Sequence, residues 1–105
     1  MEQPNLNYVH KLADGNTSFL NEFVKIIKDE FPDEKQTYTT AVEAKDNKAS
    51  AEIVHKLKHK FNILGLEKAY ALAVTYEEQL LKGTYDLHIE FKLILDKITS
   101  YLKTI

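Results

Sequence analysis

At 105 residues with no cysteine, the chain is sized for one domain, spanning 1–105, around a single core, and disulfides, thiolate catalysis and cysteine-based zinc sites are excluded. A net charge of -2, with all 14 basic residues lysine, removes the usual bidentate reader of phosphates and base edges and argues against nucleic-acid binding. With 44% hydrophobic and 29% charged residues, three glycines and two prolines, the composition fits an ordered helical protein too small to carry an added ATP-binding lobe.

The opening Met1-Glu-Gln-Pro-Asn lacks the basic-then-apolar pattern of a signal peptide, and no apolar run approaches the roughly 18 residues that span a bilayer. The expectation is a free-standing cytoplasmic protein without a membrane segment. Leu6, Val9 and Leu12, with Tyr8, predict a short first helix that stops at Asp14-Gly15. Asn16 can cap the next, where Phe19, Leu20, Phe23, Val24, Ile27 and Phe31 recur at three- and four-residue spacing. Pro32 interrupts that helix, so a third is expected from about 33 to 45, with a thin apolar face of Tyr38, Ala41 and Val42 that makes it the least buried of the long helices.

After the polar turn Asp46-Asn47-Lys48, Asn47 or Ser50 can cap a helix running to Leu64, whose apolar arc is Ile53, Val54, Leu57, Phe61 and Leu64. His55 lies on the flank of that arc, with Ala51, Lys58 and Asn62 stacked along it. The imidazole is therefore held by the scaffold yet open to water. Gly65 marks a structural turn, and Leu66, Ala69, Ala73, Tyr76 and Leu80 form the stripe of the following helix, up to Lys82-Gly83. In an antiparallel hairpin, reflecting His55 through a turn near Leu66 lands on Glu77, within about a residue, so neighbouring Glu78 is the alternative. A last helix from about 85 to 102 carries Leu87, Phe91, Ile94, Ile98, Tyr101 and Ile105 as its seam. Short links imply an all-α fold, an antiparallel up-down four-helix bundle with an additional short N-terminal helix.

His55, Leu57 and Lys58, then Gly65 ten residues after the histidine and Glu77 twelve further on, resemble the signature of histidine-containing phosphotransfer (HPt) domains. Asp14-Gly15-Asn16, Phe19-Leu20 and Phe31-Pro32 are similar to the family's upstream helices and turns. Two positions depart from it: His59 stands where the family usually has a small residue, most often glycine, and Lys60 where serine or another small residue is common. The resemblance implies a phosphorelay intermediate that accepts a phosphoryl group on His55 and passes it on. Its partners would be response-regulator receiver domains and a hybrid sensor histidine kinase. It implies no kinase activity and no cofactor of its own, the Mg2+ coming from the partner receiver.

The residues themselves suit that chemistry. A neutral imidazole attacks phosphorus only if Nε2 is unprotonated, which requires a hydrogen on Nδ1 and an acceptor for it, the role open to Glu77. Lys58 can offset charge on phosphoryl oxygens, or it can be a solvated lysine paired with a carboxylate across the groove. Ala51, Lys56, His59 and Asn62 are the candidate partner-docking positions, and Lys56 and Lys60 read as a solvated face that attracts an acidic partner. His10 and His88 have no matched partners and read as bystanders. His55 with His59, or Glu52-x-x-His55, could hint at a metal, but no second such element exists, so no metal site is expected. The alternative to phosphotransfer is a helical receiver-docking module that is not phosphorylated. Every strong apolar stripe is used internally, so a monomer is expected.

Overall fold

The computed structural model describes residues 2–105, and all regular structure among them is helical: α1 (Asn7–Ala13), α2 (Thr17–Glu43), α3 (Asn47–Ile63), α4 (Glu67–Leu81) and α5 (His88–Leu102). Helix α2 packs on α3, α3 on α4 and α4 on α5, while α5 also meets α2 and α1 lies against α2. No helix among the described residues is long and apolar enough to cross a membrane.

The largest correction to the sequence reading concerns Pro32, which lies inside the single 27-residue helix α2 rather than between two helices. Proline removes one helical hydrogen bond, the one to the Lys28 carbonyl, at about 3 kcal/mol. Tertiary packing outweighs that penalty, because Ile27, Phe31, Tyr38, Ala41 and Val42 stay on one arc of roughly 100° through the proline and all five are buried. Pro32 itself projects from the other side, exposed to water.

Capping follows the expected chemistry with one change of residue. The Asn16 side-chain Oδ1 accepts from the Phe19 amide at 3.0 Å, opening α2. At α3 the cap is Asp46, which accepts from the Ala49 amide at 3.0 Å, whereas Asn47 is the first helical residue and accepts from the Tyr85 hydroxyl, and Ser50 is buried. Helix α5 begins at His88 rather than near Tyr85, and its buried stripe is Phe91, Leu95, Ile98 and Leu102, with Ile94 and Tyr101 only partly covered.

His88 is not a bystander. Its Nδ1 lies 2.7 Å from the Tyr38 hydroxyl, which in turn lies 2.7 Å from the Tyr76 hydroxyl, joining α2, α4 and α5 from the buried tyrosines out to the half-buried histidine. Burial, with Lys92 and Lys45 nearby, pushes the His88 imidazole below its ordinary pKa, and burial together with Tyr76 pushes Tyr38 far upward. The chain of hydrogen bonds is complete when Tyr76 donates to Tyr38 and Tyr38 donates to a neutral His88.

Residues 2–6 run along the α3–α4 turn. Both carboxylate oxygens of Glu2 accept backbone amides at the start of α4, from Lys68 at 3.0 Å and Ala69 at 2.8 Å. The Asn5 amide donates to the Leu64 carbonyl at 2.9 Å, and the Asn5 side chain covers Gly65.

Candidate functional site

The hairpin of α3 and α4 turns at Gly65, whose φ of 74° lies in the left-handed region and where an added Cβ would come within 2.6 Å of the Asn5 side chain. Both helices hold their roll through fully buried residues, Val54, Leu57 and Phe61 on α3 and Ala73, Tyr76 and Leu80 on α4. Those anchors bracket His55 and Glu77, so the two polar side chains meet along the outer seam of the hairpin.

His55 Nδ1 lies 2.9 Å from Glu77 Oε1, and Lys58 Nζ donates to Glu77 Oε2 at 3.0 Å. One carboxylate thus holds both basic side chains, one through each oxygen. The His55 side chain is 52% exposed, against 23% for Glu77 and 12% for Lys58. The expensive part of the cluster is therefore sheltered and satisfied while the ring faces water. Nδ1 donating to the carboxylate leaves Nε2 as the lone-pair nitrogen, and no protein group among the described residues hydrogen-bonds it. Such a ring can act as a positioned nucleophile.

The neighbours differ in what they offer. The His59 ring stands edge-on to His55, centroids 5.1 Å apart at 87°, forming one wall beside it. Lys56 and Asn62 are exposed. Ala51 is 3% exposed and belongs to the core, so it corrects the expectation of a docking contact: its methyl group supports the helix from beneath and has almost no surface to give a partner. Lys60 is likewise not part of a solvated face. It is buried, and its ammonium donates to Glu30 at 2.9 Å and stands as an ion pair 3.3 Å from Glu34, tying α3 to α2. The sequence signal was there: Lys60 falls on the stripe of Ile53, Leu57 and Leu64.

The sequence reading passed over the apolar surroundings of Glu77. Tyr70, Val74, Glu77 and Leu81 recur at helical spacing on one face of α4. Leu81 is 63% exposed, Val74 is exposed, and the Lys58 ammonium lies 5.8 Å from the Tyr70 ring centroid. The acidic residue thus sits in a row of large apolar side chains. Among the described residues no group of three or more histidine, aspartate or glutamate side chains is arranged to hold a metal ion.

Comparison of the chain with protein-family models, with curated proteins and with solved structures returns no match in any of the three.

Proposed function

We propose that this protein is a phosphocarrier of the histidine-containing phosphotransfer type, with His55 as the acceptor. In this reading α2 to α5 form an antiparallel up-down four-helix bundle and α1 is an addition to it. The observation that carries the proposal is the Glu77 carboxylate on Nδ1 of a half-exposed imidazole whose Nε2 is unengaged.

In the transfer, Nε2 attacks the phosphorus of an aspartyl phosphate on a receiver domain. The N–P bond forms as the bond from phosphorus to the aspartyl oxygen breaks, and the aspartate leaves as a carboxylate. The proton remains on Nδ1, where Glu77 stabilises the cationic character of the phosphorylated ring. Phosphoryl transfer has a loose transition state in which positioning and electrostatics supply most of the rate, so a rigid hairpin that aims one histidine suffices on this side. Lys58 has two tasks in sequence: in the resting protein it holds Glu77, and with phosphate present its ammonium offsets charge on the phosphoryl oxygens. The Mg2+ belongs to the receiver. Donation to a second receiver is the reverse of the first step, and a hybrid sensor histidine kinase is the natural source of phosphate.

A second reading is favoured by the His59 ring beside His55. There the exposed Lys56, His59 and Asn62, with Val74 and Leu81, dock a receiver without transfer because His59 obstructs approach to Nε2. Incubation with a phosphorylated receiver separates the two. Acid-labile, alkali-stable label on wild type and none on His55→Gln supports the phosphocarrier; receiver binding without label supports the docking module.

A further inference from the structure

Of the side chains around His55, most already have a partner or face elsewhere. The Lys58 ammonium donates to Glu77 at 3.0 Å, so it meets a phosphoryl group only by loosening that hold. Lys56, the next residue along, stands about 100° around α3 from His55 and does not share its face. His59 does share it. One turn on, its ring lies 5.1 Å from the His55 ring, centroid to centroid, with the planes at 87°. His59 is exposed, and no protein group among the described residues hydrogen-bonds its ring. Nε2 lies across the imidazole from Nδ1, so with Nδ1 held by Glu77 of α4 the unengaged nitrogen of His55 turns away from α4. His59 stands on that side: four residues carry the helix about 40° past a full turn, and exposure rises from Lys58 to His55 in the same rotational sense.

We propose that His59 is a phosphate-binding residue, a ring N–H of which donates to an oxygen of the phosphoryl group as that group passes to His55 Nε2. The inference rests on the phosphocarrier reading in taking Nε2 as the acceptor. The transferring group offers three equatorial oxygens that only accept, and within one turn on this face His59 has the one N–H donor without a protein partner. A neutral imidazole suffices, because one of its nitrogens always carries a hydrogen and neither is committed here. Being exposed, the ring swings between neighbouring rotamers fast enough to follow the phosphoryl group rather than wall off Nε2.

The test compares two phosphoryl donors, a phosphorylated receiver and phosphoramidate, from which Nε2 displaces ammonia as the bond from phosphorus to His55 forms. Acceptance at His55 is followed by phosphorus and ring-nitrogen NMR in wild type, His59→Ala, His59→Phe and His59→Gln. The phenyl ring keeps the bulk without the donor, and the amide restores an N–H. Both His59→Ala and His59→Phe are expected to slow acceptance from either donor about 3- to 10-fold, with His59→Gln recovering part of the rate and helical circular dichroism unchanged throughout. Faster acceptance in His59→Ala, the mark of an obstructing ring, would overturn the proposal, as would rates within about twofold of wild type in all three variants, or no label at His55 from phosphoramidate. Failure of the receiver alone, with phosphoramidate transfer still slowed in His59→Ala and His59→Phe, removes the relay reading and supports the phosphate contact.

Discussion

His55 and His88 present the same ring in opposite settings. Both engage Nδ1, but His55 meets a carboxylate at a water-facing seam, whereas His88 meets a phenol in a buried aromatic cluster. The carboxylate can only accept, so it fixes the hydrogen on His55 Nδ1 and leaves Nε2 basic. The phenol network is satisfied when Tyr38 donates, so it fixes His88 as the other tautomer, with Nε2 carrying the hydrogen. The partner of one nitrogen decides the state of the other: one histidine leaves an unengaged nitrogen toward water, and the other joins helices together.

Substitution breaks this contrast most sharply at His55. His55→Gln is expected to abolish phosphoryl acceptance while moving stability by no more than about 0.5 kcal/mol, since the side chain is half exposed. His88→Gln should do the reverse, retaining acceptance. Denaturant titration alongside the transfer assay checks both variants. Next in size, Glu77→Ala is expected to slow transfer about 10- to 100-fold by releasing the ring, with Glu77→Gln recovering part of the rate because an amide oxygen can still accept from Nδ1. The ring-nitrogen chemical shifts of His55 should move toward the Nε2-protonated form in Glu77→Ala and stay unchanged in His88→Gln.

Smaller effects are thermodynamic. Tyr38→Phe deletes the central hydroxyl of the buried chain and should destabilise the protein by about 1–3 kcal/mol, read as a lowered thermal midpoint without loss of label on His55. Gly65→Ala should cost about 1–3 kcal/mol through its left-handed backbone and the Asn5 contact. The smallest signal is a slope in pH. His88 has an ordinary pKa of 6.5 in the unfolded chain and a lower one in the fold. Above the unfolded value both states are neutral and the contribution of this residue is fully present. As pH falls below it, the unfolded state takes up a proton that the folded state resists, so stability declines toward the folded pKa. Removing the imidazole in His88→Gln should flatten that part of the stability profile.

The hairpin was legible in the sequence because its geometry is local: a glycine marks the turn, two stripes of known period flank it, and equal rise per residue brings His55 opposite Glu77. The Tyr38–Tyr76–His88 chain was not, since it exists only when three helices converge, and no spacing along one helix announces it. Pro32 misled because its local penalty was weighed without the stripe from Ile27 to Val42 that continues across it. Ala51 and Lys60 failed in a related way. A small residue was read as open space and a lysine as solvated, although Ala51 packs in the core and Lys60 meets Glu30 and Glu34 from α2.

The central claim is tested most directly by the linkage of phosphate on the modified protein. After incubation with a phosphorylated receiver, phosphorus NMR and mapping of the labelled peptide are expected to find one phosphohistidine, at residue 55, joined through Nε2. Phosphate joined through Nδ1, on another histidine, or on none would contradict the account.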